Sequence, residues 1–153
     1  MKLQFQMDDL RGKETQALIV DHLRRMHAIT PAGSVFALDL DKLRHPDIAF
    51  WSVWADGQLV GCGALKRLDA ARGEVKSMRV VDEWLGKGVG RAILRHILEH
   101  ARSSGLSSLW LETGTTEHFL PARTLYASEG FTSCGPFGDY VESPHNTFMM
   151  RAL

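Results

Sequence analysis

The stretch that most constrains this chain runs from Val75 to Ala101 and reads VKSMRVVDEWLGKGVGRAILRHILEHA. It begins with the small and β-branched residues of a strand, passes through three alternating glycines at Gly86–Gly90, and becomes helical from about Val89. Such a loop exposes backbone N–H groups with no Cβ in the way, and the helix dipole adds partial positive charge. Lys87 and Arg91 add full charges. The stretch therefore predicts a site for a ligand that carries phosphates.

Two common phosphate-binding loops do not fit this pattern. A Walker A loop requires Gly-Lys-Ser/Thr at its end, whereas the Gly-Lys pair at Gly86 is followed by Gly88. A dinucleotide fingerprint of the form G-x-G-x-x-G requires glycine at Arg91 or at Ile93, depending on which glycine begins it. Both known loops are therefore excluded.

The remaining pattern, LGKGVGR, resembles motif A of the GNAT superfamily of acyl-CoA N-acyltransferases. That motif has Arg or Gln, two residues, Gly, one residue, and then Gly or Ala. Gly88 and Gly90 match it, but Leu85 stands where Arg or Gln is usual. The departure removes one side-chain contact with the pyrophosphate and leaves the backbone cradle intact.

A second stretch, PARTLYASEGF, resembles the other GNAT signature, A-x-x-L-Y-x-x-x-G-F. The family often has Asn three residues before the Ala, and this chain has Phe119 there. The two motifs occur in the family's order and at its usual separation. The matching residues are Ala122, Leu125, Tyr126, Gly130 and Phe131.

The pattern of elements agrees with the resemblance. Strands before motif A form antiparallel hairpins, and strands after it alternate with helices, which predicts an α/β (α+β) chain with a mixed sheet. The GNAT resemblance implies a mostly antiparallel twisted sheet, splayed into a V between its two central strands and flanked by helices. The predicted elements are a strand at 2–6, a helix capped by Asp8 or Asp9 and ending near Ala28, strands Ile48–Ala55 and Leu59–Leu65 joined at Asp56-Gly57, the motif A strand and helix, strand Leu106–Thr113, helix Pro121–Glu129, and strands at Phe131 and Phe148–Leu153.

Length and composition narrow the class. The chain has 153 residues, a length typical of one domain, and residues 1–153 are expected to form a single domain. The 18 Lys and Arg residues balance the 18 Asp and Glu residues, so the chain has no excess of positive charge that would indicate nucleic-acid binding. Cys62 and Cys134 lie in apolar or glycine-rich stretches, which is typical of reduced thiols. The N-terminus has no long apolar run, so we expect no signal peptide, no membrane partner and a cytoplasmic location.

The resemblance also implies a cosubstrate, acetyl-CoA, and no metal. The strand around Met78 would offer backbone groups to the pantetheine arm and the thioester carbonyl, and the glycine loop would hold the pyrophosphate. Residues expected to bind the cofactor are Met78, Arg79, Val80, Leu85, Gly86, Lys87, Gly88, Val89, Gly90, Arg91, Thr113, Ala122 and Tyr126.

Transfer to an amine needs a base and an acid. Deprotonating an alkylammonium of pKa about 10.4 at pH 7 costs about 4.6 kcal/mol, so a base is useful. Glu74 is the candidate base, although a Glu beside Gly73 is also typical of a solvated strand end. Tyr126 occupies the family's acid position and would protonate the leaving thiolate. The alternative for Tyr126 is a ring that only packs in the core.

These residues predict an acetyl-CoA-dependent N-acetyltransferase acting by direct attack on a primary amine. The sequence does not choose between a small-molecule and a peptide acceptor, and a homodimer stays open. One alternative is a non-catalytic acyl-CoA-binding or sensor module on the same fold. Another is a zinc hydrolase, because His96, Glu99 and His100 fit H-x-x-E-H. The phosphate loop before this helix disfavours zinc.

Overall fold

The structure is a computed structural model that describes residues 2–153. Seven strands and four helices follow one another along the chain, with single 3₁₀ turns at Ala32–Ser34, Asp82–Trp84 and Glu117–Phe119. In chain order the elements are β1 (Gln4–Met7), α1 (Lys13–Ile29), α2 (Leu40–Leu43), β2 (Ile48–Ala55), β3 (Gln58–Arg67), β4 (Arg72–Val80), α3 (Val89–Ser103), β5 (Ser108–Gly114), α4 (Leu120–Ser128), β6 (Thr132–Cys134) and β7 (Asn146–Ala152).

All seven strands form one sheet in the order β1-β2-β3-β4-β5-β7-β6. Only β4 and β5 run parallel, and every other pair is antiparallel. Asp56 and Gly57 join β2 to β3 with φ of 49° and 77°, the positive values that a tight hairpin turn requires. The predicted mixed, mostly antiparallel sheet is confirmed.

The two central strands part soon after they meet. β4 and β5 are paired only where Arg72–Glu74 faces Ser108–Trp110, although the strands continue to Val80 and Gly114. The backbone groups that face each other beyond that point are therefore not joined by ladder hydrogen bonds. This gap is the V-shaped splay that the family resemblance implies.

A bulge in β4 lies at the beginning of the gap. Ser77 has φ of 54°, and the pairing of β3 with β4 shifts its register between Cys62 and Ala64. A bulge adds one residue to a strand and changes which side chains share a face. As a result Val75 and Met78, three residues apart, both pack in the core beneath α3.

The sheet is covered on both faces. α3 packs closely on β3 because Gly61 and Gly63 leave room for Ile93, whose atoms lie 2.9 and 2.7 Å from the positions that Cβ atoms would take there. α1 and α2 cover the other face, around Ile19 and Leu43. The buried residues of α3 are Val89, Ile93, Leu94, Ile97, Leu98 and Ala101, which recur at helical spacing.

The predicted cap of α1 is wrong. The helix begins at Lys13 after Gly12, with no side-chain cap. Asp8 instead accepts hydrogen bonds from the Leu10 N–H at 2.7 Å and from the Ser52 hydroxyl at 2.6 Å. Its carboxylate ties the turn after β1 to β2 and also accepts from the Thr15 hydroxyl of α1 at 3.3 Å, but it does not cap a backbone N–H of the helix.

His22 on α1 is buried, although the sequence indicated nothing beyond an ordinary polar residue. Its side chain faces the sheet, and the residue is 7% exposed. Its Nδ1 atom has no hydrogen-bond partner within residues 2–153. Burial lowers the pKa of His22 to about 4, and the charge of Arg79 adds to this effect. The folded protein therefore holds this imidazole neutral.

We expect His22 to make the protein sensitive to acid. The unfolded chain takes up a proton near pH 6.5, whereas the folded chain does so near 4. Stability is thus fully present above about pH 6.5 and falls by up to about 3 kcal/mol as the pH drops toward 4. Urea unfolding at about pH 7 and pH 4.5 should show a smaller loss for His22→Gln than for wild type. His27→Gln, an exposed change on the same helix, should keep the wild-type loss, and equal losses in all three proteins would contradict the assignment.

Candidate active site

The glycine loop has the backbone geometry of an anion cradle. Gly86 and Gly88 have φ of 74° and 84°, a left-handed conformation that side chains rarely adopt, and Gly88 immediately precedes α3. A Cβ at either position would meet no atom within 4 Å, so it would occupy the space in front of the loop. The first N–H groups of a helix have no partner in the helix and point into such a space. The loop therefore fits a pyrophosphate.

The two charged side chains near the loop differ in whether other residues of the protein already bind them. Lys87 lies over the Trp84 ring, with Nζ 5.0 Å from the ring centroid, and makes no ion pair within residues 2–153. Arg91 is bound to the end of α4 by Glu129 at 2.7 Å and Ser128 at 3.0 Å. Lys87 is therefore the cation available to a phosphate, whereas Arg91 offers chiefly its backbone N–H. Leu85 is exposed and can contribute only backbone groups.

Tyr126 lies on α4 with its ring in the core, edge-on to Phe131 at 5.9 Å. The packing interpretation agrees with this position, and the catalytic role of the hydroxyl stays a prediction. Burial raises the pKa of Tyr126 to about 12, and the negative charge of Glu112 adds to this effect. The phenol therefore keeps its proton at any physiological pH.

Glu74 is not a solvated strand end. It is the third residue of β4 and only 3% exposed. Its Oε2 atom accepts a hydrogen bond from the Tyr140 hydroxyl at 2.5 Å and one from Lys76 Nζ at 3.2 Å. Burial and the Glu74 carboxylate raise the pKa of Tyr140, so that phenol stays protonated and donates. Glu74 is therefore held by two donors.

A second carboxylate, Glu112, faces the splay from β5. Its Oε2 atom accepts a hydrogen bond from Asn146 Nδ2 at 2.6 Å, and it makes no ion pair within residues 2–153. Burial raises the pKa of Glu112 above its ordinary value, and Glu74 adds to this, while Asn146 and Lys76 oppose it. The sequence interpretation missed Glu112, although an acidic residue in the apolar run LWLET was a usable signal.

No sequence pattern marks Tyr140 or Asn146 as a site residue. Tyr140 lies in the long loop before β7, and Asn146 is the first residue of that strand. The loop folds back over the sheet, where Tyr140 packs edge-on against Phe36 and Phe137, each with ring centroids 5.0 Å away. Asn146 Nδ2 also donates to the Ser34 carbonyl at 3.3 Å. These contacts bring two distant loops to the carboxylates.

The other predicted cofactor residues line the two sides of the V. Met78 and Val80 are half-buried on β4 beyond the bulge, and Arg79 between them bonds Asp82 through its side chain at 3.2 Å. Thr113 is buried near the end of β5. Ala122 packs against the core from α4. These residues lie on β4, β5 and α4.

An open cleft lies beyond the end of β5, on the side to which the V opens. It has a volume of about 610 Å³ and lies between the end of α1 and the residues Thr116, Glu117 and His118.

The histidines of H-x-x-E-H pack against aromatic rings. His96 stacks on Phe5 with centroids 4.2 Å apart, and His100 lies edge-on to Trp51 at 4.8 Å. Glu99 is exposed and pairs with Arg102 at 3.5 Å. Among residues 2–153 no three His, Cys, Asp or Glu side chains are grouped as a metal site would need.

Comparison with known proteins decides the family. Residues 16–131 match the acetyltransferase (GNAT) family. The chain belongs to the GNAT family. It is 47% identical over 151 residues to the N-acetyltransferase YsnE of Bacillus subtilis, covering 99% of this chain and 100% of that protein. It is 40% identical over 137 residues to the IAA acetyltransferase of Azospirillum brasilense, covering 89% and 88%.

The fold agrees with solved members of the family. A putative acyl-CoA N-acyltransferase from Klebsiella pneumoniae superposes with a TM-score of 0.81 at 23% identity, over 99% of this chain and 97% of that one. This GNAT protein is thus an N-acetyltransferase whose cosubstrate is acetyl-CoA, an activated acetyl thioester. The open cradle at Gly86 and Gly88 fits the pyrophosphate of that group. No helix within residues 2–153 has the length and apolar character needed to span a membrane.

Proposed function

We propose that this enzyme acetylates a primary amine of a small molecule or peptide by direct attack on the thioester, with Glu112 as the base and the Tyr126 hydroxyl as the hydrogen-bond donor to the leaving thiolate. The observation that carries the proposal is the placement of Glu112 at the splay, near enough to Tyr126 for its charge to affect the phenol. In this step the amine nitrogen forms a bond to the acetyl carbon, the C–S bond breaks, and Glu112 receives the ammonium proton.

Glu74 and Glu112 are both candidates for the base, and they differ in their hydrogen-bond partners. Glu74 Oε2 already accepts hydrogen bonds from Lys76 Nζ and from the Tyr140 hydroxyl, so this oxygen is occupied by partners within the protein. Glu112 is bound only to a neutral amide, and burial raises its pKa. A raised pKa brings a carboxylate closer to the pH at which it must accept a proton. The sequence-based prediction of Glu74 is kept as the second candidate.

The raised pKa of Tyr126 limits what this residue can do. A thiol has a pKa of about 8.5, so complete proton transfer from a phenol of pKa about 12 is uphill by about 5 kcal/mol. Tyr126 therefore acts mainly as a hydrogen-bond donor that stabilises the thiolate as the C–S bond lengthens. The proton that Glu112 has received then passes to the sulfur or to solvent.

Neither cysteine supports a covalent acetyl-enzyme. Burial raises the pKa of Cys62 to about 12, and its thiol donates to the Ser77 carbonyl at 3.3 Å. Burial also raises the pKa of Cys134. A protonated thiol is a poor nucleophile, which favours direct attack by the amine.

Named relatives favour a small acceptor. The streptothricin acetyltransferase of Streptomyces lavendulae and the amino-acid acetyltransferase of Mycobacterium tuberculosis are 37% and 35% identical to parts of this chain. These names support, for this enzyme, an amine on a small molecule ahead of a protein. Homodimerisation stays a prediction, and light scattering of the purified chain measures it.

Tyr126→Phe tests the function. The variant keeps the ring and its packing but loses the donor, so we expect kcat to fall about 10²-fold with little change in KM. Steady-state release of CoA thiol with one good acceptor gives both constants, and a melting curve shows whether the variant is folded. Wild-type kcat in a folded variant would leave Tyr126 a packing residue.

A further inference from the structure

Two side chains of opposite charge, Lys76 on β4 and Glu112 on β5, lie beside the splay and form no ion pair with each other. Lys76 and Glu112 each lie two residues beyond the last paired residues of β4 and β5, which are Glu74 and Trp110. Alternate residues of a strand share a face, so both side chains emerge on the same side of the sheet. They form no ion pair with each other, although the charge of Lys76 acts to lower the pKa of Glu112.

Each of these groups has unused hydrogen-bonding capacity. An ammonium has three donors, and Lys76 Nζ uses two, to Glu74 at 3.2 Å and to Tyr140 at 2.9 Å. Glu112 uses Oε2 for Asn146, and its Oε1 atom accepts no hydrogen bond within residues 2–153. One donor of Lys76, whose side chain is 8% exposed, and one oxygen of Glu112 are thus unpaired on the two strands that border the gap.

Asn146 supplies an independent observation. The residue is 7% exposed, and its Oδ1 atom has no partner within residues 2–153. Its Nδ2 atom donates to Glu112 and to the Ser34 carbonyl, so the orientation of the amide is determined by its neighbours. A buried acceptor without a donor is costly, and an ammonium at Glu112 would supply one.

We propose that the acceptor is a zwitterion, an amino compound that also carries a carboxylate, as amino acids do. Glu112 and Asn146 Oδ1 bind its ammonium, and the third donor of Lys76 binds its carboxylate. This inference rests on the proposed acetyl transfer to a small amine and names the acceptor's class.

Matched acceptors test the inference without any mutation. Thiol release is measured with a panel of amino acids, each beside its methyl ester and its decarboxylated amine. We expect kcat/KM to be at least about tenfold higher for the zwitterion than for the two partners that lack the carboxylate. Equal or better activity with the esters or amines would overturn the zwitterion while leaving acetyl transfer intact. No transfer to any member would count against the proposed function itself, and against this inference with it.

A variant assigns the preference to Lys76. Lys76→Met should bring the ratio of kcat/KM between zwitterion and ester close to one, whereas Lys42→Met, an exposed lysine on α2, should keep the wild-type ratio. The ratio separates recognition from a structural role, because a general loss of activity lowers both members of a pair equally. A folded Lys76→Met variant with the wild-type ratio would remove Lys76 from the site. If it does not fold, the ratio is measured in Lys76→Arg, which should retain the preference.

Discussion

Glu112→Gln is expected to lower kcat/KM for a good acceptor about 10³-fold. The amide keeps the shape of the side chain and can still accept from Asn146, so the fold should survive. It cannot take a proton, and a positioned base contributes about 10²- to 10⁴-fold. Burial raises the pKa of Glu112, so the wild-type enzyme should lose activity as the pH falls through that raised value. The pH profile of activity for the variant should lack this fall at low pH, which is the acid limb of the profile.

Glu74→Gln is the matched comparison. It weakens the partner of Lys76 and leaves a buried ammonium without its carboxylate, so we expect a lower melting temperature. Activity per folded enzyme should fall about tenfold or less, with the acid limb retained. A 10³-fold loss in Glu74→Gln, together with near wild-type activity in Glu112→Gln, would assign the base to Glu74.

Gly88→Val is expected to weaken acetyl-CoA binding about 10³-fold. The Cβ would lie in front of the loop, and a β-branched residue resists φ of 84°. Losing two charge-assisted bonds of about 2 kcal/mol each amounts to about 4 kcal/mol, which is close to a thousandfold. Titration calorimetry with acetyl-CoA measures the dissociation constant.

Two glycines serve as controls for this change. Gly57 has φ of 77° with open space around it, in the hairpin between β2 and β3, so Gly57→Val reproduces the strain away from the site. It should lower stability and leave binding unchanged. Gly90 has no positive φ, and its Cβ would make an ordinary contact with Leu125 at 3.5 Å, so Gly90→Ala should bind normally. Unchanged affinity in folded Gly88→Val would contradict the phosphate-loop assignment.

The sequence by itself predicted the sheet, the helices and the phosphate loop. Those predictions rest on local chemistry, because a hairpin at Asp56-Gly57 or a left-handed glycine at Gly88 is specified by the residues that form it. The positions of Tyr126 and the cofactor loop follow from two short motifs, since each lies within one helix or one turn. The family comparison confirms the fold and the acetyltransferase activity that those motifs implied.

The tertiary structure decided the environment of the carboxylates. The sequence does not specify the partners of Glu74 and Glu112, yet one is held by Lys76 and Tyr140 and the other by an amide. Tyr140 lies 66 residues from Glu74 along the chain, and Asn146 lies 34 from Glu112. Such contacts form only when the β6–β7 loop closes over the splay, and no local pattern specifies that closure. The choice of base and the class of acceptor therefore depend on packing between distant segments, which alone sets burial and charge at each side chain.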